Sequence, residues 1–248
     1  TKNLDEEVKI WRNRDLSNLK YPYLLVDVIY IKVRENHRVV SKACHIAIGI
    51  NEEGRREIIG FKISEKESED TWSLFFEYLK QKGLKGIKMV ISDAHKGLVK
   101  SIKESFINAS WQRCQVHFLR NILSKIPKKD TKEFREDIKS LFRIQDIKIA
   151  RTVKEELFKK YEEKKKYQNS LNVLDEGFED AFTYLNNEEI HTRLKSTNCL
   201  ERLNEEIRRR EKVIRIFPNT ESAYRLIGAI LMDIDEEWLS SGRIYIKM

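Results

Sequence analysis

Three apolar, β-branched runs follow one another near the start of the chain: LLVDVIYIKV from residue 24, VVSKACHIAIGI from residue 39 and REIIGF from residue 56. Only RENHR and NEEGR separate them. Links this short force successive strands to turn back beside each other, so the runs predict a three-stranded antiparallel meander. The first run carries Asp27. A carboxylate left unpaired in an apolar sheet is costly, so Asp27 calls for a partner, a proton or a metal. A buried Arg or Lys would answer, as would a wet face of the sheet, although Ile29, Ile31 and Val33 share its face under strand alternation.

Further along, SEDTWSLFFEYLKQKG sets Trp72, Phe75, Phe76 and Leu79 at spacings of three and four, an amphipathic helix closed by Gly83. IKMVISDAHKG then reads as a fourth strand ending in a turn at Asp93. The strand, helix, strand passage predicts a right-handed crossover back to the sheet. If the fourth strand returns beside the first, Asp27 and Asp93 become neighbours, and like charges at that distance need a cation to stay ionised together. Two such carboxylates and a third suit two-metal phosphoryl transfer, with hard oxygen ligands that select Mg²⁺ or Mn²⁺. Asp93 could instead cap the helix that begins near Lys96.

The helix LVKSIKESF and a short fifth strand from Ser110 to Cys114 come next, and from Val116 to Ile190 the periodicity is helical throughout. The fold class predicted is α/β: a mixed sheet with flanking helices, interrupted by an all-helical insertion. The first part of the core covers residues 1–115, the insertion 116–192 and the second part 193–248. At 248 residues the chain is long enough for one such core. Its net charge of +8 is uneven. Residues 111–166 carry 17 basic and 9 acidic side chains, whereas residues 167–248 carry 11 and 15. A basic block of this kind points either to a polyanion such as nucleic acid or to a solvated helical face. Three scattered cysteines argue against a disulfide framework and for a reducing, cytoplasmic setting. No run approaches the ~18 apolar residues of a membrane span, so no membrane partner is expected.

In WQRCQVHFLRN, Cys114 and His117 form half of a zinc site by count, but no second pair of ligands has matching spacing. By residue type alone they read as a buried Cys and a helix-starting His. Trp111 and Phe118 could stack on an unpaired base, with core packing as the plainer reading. STNCLERLNEEIRRREKVIRIF predicts a helix with Asn198 as its N-cap. Leu200, Leu203, Ile207 and Ile214 form its apolar stripe, and Glu201, Asn204 and Arg208 lie beside it. Asn198 and Glu201 have capping-box spacing, and Glu205 lies on nearly the same face, so the periodicity alone leaves the role of Glu201 open.

Six ordered blocks, YPYLLVDVIYIKVR, AIGINEEGRREIIGF, VISDAHKGL, SWQRCQVHFLRN, STNCLERLNEEIRRR and IFPN, resemble the Mutator-type DDE transposases of bacterial insertion sequences. The resemblance runs from about Leu4 to Met248. It implies an RNase H-like core and Mg²⁺-dependent cleavage and strand transfer, with Mn²⁺ as a possible substitute. Asp27, Asp93 and Glu201 are then the catalytic, metal-holding triad, and Cys114 and His117 shape the site. Arg113, Arg120, Lys125, Lys128, Lys129, Asn204, Arg208 and Arg209 become candidate contacts to DNA, with phosphates the target of the basic ones. The implied partners are double-stranded DNA, as element ends and target, and a second copy of the chain in a homodimer. The implied location is prokaryotic cytoplasm, at the nucleoid. Family members carry a helix-turn-helix region ahead of this core, so a fragment or truncated copy is expected, without recognition of terminal inverted repeats. The alternative is a domesticated, non-catalytic DNA-binding protein that keeps the fold.

Overall fold

A computed structural model describes residues 2–127, 129, 131–186 and 192–247. In chain order the elements are α1 (Lys2–Arg12), β1 (Tyr23–Glu35), β2 (Arg38–Ile50), β3 (Arg56–Ser64), α2 (Glu69–Gln81), β4 (Met89–Ser92), α3 (Lys96–Ser105) and β5 (Ser110–Arg113). They continue with α4 (Gln115–Ser124), α5 (Lys132–Leu141), α6 (Ile147–Tyr161), α7 (Lys165–Ala181), α8 (Asn198–Ile214) and α9 (Thr220–Ser240). Short 3₁₀ turns cover Thr183–Asn186 and Thr192–Lys195. The chain divides into two compact units. One comprises Thr1–Val90, His95–Ser110 and Thr197–Met248; the other comprises Ile91–Ala94 and Trp111–Ser196.

The sheet order is β3-β2-β1-β4-β5. The meander forms as its short links require: β1 pairs antiparallel with β2, Asp27 opposite Ile46, and β2 pairs antiparallel with β3, Ile46 opposite Phe61. A register shift between Ala47 and Ile48 marks a bulge in the second pairing. Along β1 the early residues Leu24, Leu25 and Val26 are all buried, whereas farther on Ile29, Ile31 and Val33 are buried and Tyr30, Lys32 and Arg34 exposed. Asp27 stands where the fully covered part of the strand gives way to the alternating part.

Each face of the meander is covered by the helices its side chains can pack against. His45 meets Trp72 and Phe75 of α2, and Trp72, Phe75, Phe76 and Leu79 are fully buried, on the order of 2 kcal/mol each in transfer terms. On the opposite face Phe61 meets Trp11 of α1 and Tyr224 of α9. The C-terminus of α2 is closed as the sequence predicts. Gly83 takes φ +93°, and a Cβ there would lie 2.7 Å from Ser17, so only glycine fits the turn.

α1 and the segment after it are held by a carboxylate that sequence periodicity did not single out. Asp235 of α9, 1 % exposed, accepts from Trp11 Nε1 (2.9 Å), Arg14 Nη2 (3.0 Å) and the Ile58 backbone N–H (2.7 Å). The second unit has its own aromatic core: Phe134 stacks on Tyr167 at 4.3 Å and meets Tyr161 edge-on, while Phe142 packs between Phe118 and Phe182.

Candidate active site

Asp27 is half-buried on β1, and N–H groups donate to both of its oxygens. The Val28 backbone N–H reaches Oδ1 at 2.9 Å, and Asn204 Nδ2 of α8 reaches Oδ2 at 2.8 Å. Asn204, read from the sequence as a DNA contact, is 7 % exposed and lies against Asp27. Its place follows from helix geometry, because it sits four residues after buried Leu200 and three before buried Ile207.

Glu201 precedes Asn204 by three residues, so the two share one side of α8, about one turn apart. Glu201 is half-buried, in the first turn of the helix, where the macrodipole favours a carboxylate; Glu205 is exposed. The capping box that the Asn198–Glu201 spacing allowed would need Asn198 at the N-cap, which it does not occupy. The N-cap is Thr197, whose side chain makes no cap bond, and the Glu201 backbone N–H donates to the Thr197 carbonyl at 3.0 Å. With the helix starting at Asn198, Glu201 falls at the fourth helical position rather than the third.

The other end of α8 is fixed by main-chain pairing that the sequence did not reveal. After Ile214 the chain turns at Arg215 (φ +62°). Phe217 N–H then donates to Lys32 O, and Arg34 N–H donates to Phe217 O, both at 2.8 Å. Glu211 accepts from the Lys32 backbone, and burial pushes its carboxyl pKa up. The turn carries Ile214 away from the core, so it is 39 % exposed instead of completing the apolar stripe.

Asp93 belongs to the second unit, directly after β4, and is half-buried. It does not occupy the N-cap position of α3, which is His95. Ser92 holds the turn: its hydroxyl donates to Asp93 O (2.7 Å) and accepts from Trp111 Nε1 (2.9 Å), and its carbonyl accepts from Cys114 N–H (2.7 Å). Cys114 is fully buried at the N-cap position of α4, and His117 is half-buried one turn in. Arg113 is half-buried, its guanidinium 4.2 Å from the Phe118 ring centre. Burial lowers its pKa, and the charges of Asp180, Asp93 and Glu176 oppose that shift. Gly177 makes room for it, because a Cβ there would lie 2.2 Å from Arg113 Nη1 and 2.6 Å from Phe118. Phe118 is core, as its plainer reading held.

Arg120, Lys125, Lys129, Arg208 and Arg209 are exposed, and Lys128 lies outside the described residues. Arg209 already has a partner. It donates twice to Glu206 (2.8 and 2.7 Å), Arg210 adds a third bond, and these hydrogen bonds pull Glu206 down to about 2.

Among the described residues no group of three or more His, Cys, Asp or Glu is drawn close enough to hold a metal ion. The donor chemistry at Asp27 nevertheless suits a hard divalent cation. Neutral N–H groups reach both of its oxygens, and beside them Asn204 Oδ1 is buried with no hydrogen-bond partner among the described residues. Among the described residues no helix is long and apolar enough to cross a membrane, and Cys44, Cys114 and Cys199 form no disulfide.

A five-stranded mixed sheet in this order, opening with an antiparallel meander and flanked by helices, defines a chain of the RNase H-like fold class. The pattern of the Mutator family of transposases matches residues 1–241, and the chain belongs to that family. It is 60 % identical over 247 residues to the transposase for insertion sequence element IS256 in transposon Tn4001 of Staphylococcus aureus, covering all of this chain and 63 % of that protein. It is 41 % identical over 248 residues to the transposase for insertion sequence element ISRM5 of Rhizobium meliloti, covering all of this chain and 61 % of that protein. The chain therefore spans about three fifths of the length of these relatives. Among solved structures it is similar to the Drosophila P element transposase strand transfer complex, at 14 % identity and a TM-score of 0.31, over 91 % of this chain and 66 % of that one.

Proposed function

We propose that this chain is the catalytic core of a DNA transposase that cuts phosphodiesters at element ends and transfers the liberated 3′-hydroxyl to target DNA. Asp27, Asp93 and Glu201 hold Mg²⁺, with Mn²⁺ as a substitute. Bound there, divalent cations would supply activation of the attacking oxygen and charge stabilisation of the leaving one. No side chain acts as a nucleophile. The observation that carries this reading is the Asn204–Asp27 hydrogen bond, which ties the β1 carboxylate to the helix bearing Glu201 one turn earlier.

The surrounding residues take supporting roles. Cys114 and His117 shape the ground under Asp93, and Arg113 balances its charge from within the same unit. Arg120, Lys125, Lys129 and Arg208 neutralise backbone phosphates of double-stranded DNA, at element ends and target, and fix register without reading sequence. The working form is a homodimer acting in the cytoplasm at the nucleoid.

Strand transfer from pre-cleaved ends in Mg²⁺ tests the assignment. Asp27→Asn and Glu201→Gln should each lose about three orders of magnitude in rate while keeping the parent circular dichroism, since several kcal/mol of charge stabilisation is removed. Either variant transferring strands at the parent rate would remove that residue from the site.

A further inference from the structure

We propose that Asn204 is a positioning residue of the acidic site, one that sets the orientation in which Asp27 takes a divalent cation. This rests on the reading of Asp27 as a cation ligand. The Asn204 side chain is a primary amide, two donors and one acceptor, placed on the side of α8 that also buries Leu200, Leu203 and Ile207. An amide in such a place is costly unless its hydrogen bonds are made. A carboxylate can only accept, so the nitrogen of Asn204 must be the atom facing Asp27.

With Asn204 on Oδ2 and the Val28 N–H on Oδ1, the carboxylate is gripped at both oxygens from two different elements. Rotation of the group would break one bond or the other. An ionised carboxylate offers about four acceptor sites in all, more than these two bonds use. The grip is itself supported, because α8 is tied to β1 farther along by the Phe217 main-chain bonds and by Glu211. Asn204 Oδ1 is the second observation: it is buried and has no hydrogen-bond partner among the described residues. The water shell of a cation on Asp27 would bring donors to that oxygen. A residue that merely stapled the helix to the strand would need the nitrogen alone.

The test is Mn²⁺ binding to the full chain, followed by electron paramagnetic resonance, for the parent, Asn204→Ala, Asn204→Leu and Asp27→Asn. Loss of a residue that orients a ligand weakens metal affinity by roughly 10–100-fold. Asn204→Ala should show that loss, and Asn204→Leu, which keeps nearly the same volume and protects the fold, should show it too. In DNA cleavage the Mg²⁺ concentration for half-maximal rate should rise by the same factor, with the rate at saturating metal recovering to within a few-fold. Parent-like Mn²⁺ affinity in either folded Asn204 variant overturns the positioning role, even if its metal-free melting temperature has dropped. Parent-like affinity in Asp27→Asn overturns the site itself, a separate failure.

Discussion

His45 of β2 shows how far burial moves a single side chain. Its ring centre lies 4.4 Å from Trp72 and 5.9 Å from Phe75, and Nε2 sits 2.7 Å from Ser64 Oγ. Burial, helped by the charge of Lys62, pushes its pKa down to about 3. An unfolded histidine titrates near 6.5, so between about 3 and 6.5 the unfolded chain holds a proton that the folded chain refuses. The stability His45 contributes is whole above about pH 6.5 and is lost as the pH falls toward 3, by at most ~1.4 kcal/mol per unit. Urea unfolding across that range should show the parent losing ground to His45→Phe as acid is added. Parallel pH profiles for the two proteins would refute this. Arg113 makes a related point: its basic side chain suggests solvent and phosphate, yet Gly177 and Phe118 bring it half inside, near Asp93.

At the scale of elements, α2 is the most legible part of the chain. Its buried face is the one the spacing of Trp72, Phe75, Phe76 and Leu79 predicts, and it begins in a capping box in which Ser68 accepts from Thr71 N–H while Thr71 Oγ1 accepts from Ser68 N–H. Ser68→Ala should cost about 1 kcal/mol in chemical denaturation, and an unchanged midpoint would mean the cap is redundant. α8 was legible as a helix but not at its ends. Asn198 looks like a cap by residue type, yet the chain enters one residue earlier, at Thr197. Ile214 continues the apolar stripe by period, yet the turn at Arg215 that brings Phe217 onto β1 leaves it exposed. Helix ends depend on where the chain must go next, which periodicity does not encode.

For the molecule as a whole, the basic surplus becomes a measurable property. Each phosphate contact releases counterions, so DNA affinity should fall steeply with salt. Arg208→Gln should flatten the slope of log affinity against log salt by about one and weaken binding alike across sequences. Arg209→Gln should change it less, because its guanidinium is already spent on Glu206. Equal slopes for the parent and Arg208→Gln would take Arg208 out of the phosphate contacts.

The meander, the α2 face and the positions of Asp27 on a strand and Asp93 at a strand end were determined by the sequence alone. Alternation, helical spacing and link length are local physics, acting within a few residues. Tertiary structure decided what each carboxylate touches. Asp27 meets Asn204 across 177 residues of chain, and Trp11 meets Asp235 across 224. It also decided that Glu201 is half-buried on the side of α8 that carries Asn204, while Glu205 is exposed. Such pairings exist only once the helices are laid on the sheet, because a side chain's partner is set by which surfaces are buried together and no local pattern of residues records that choice.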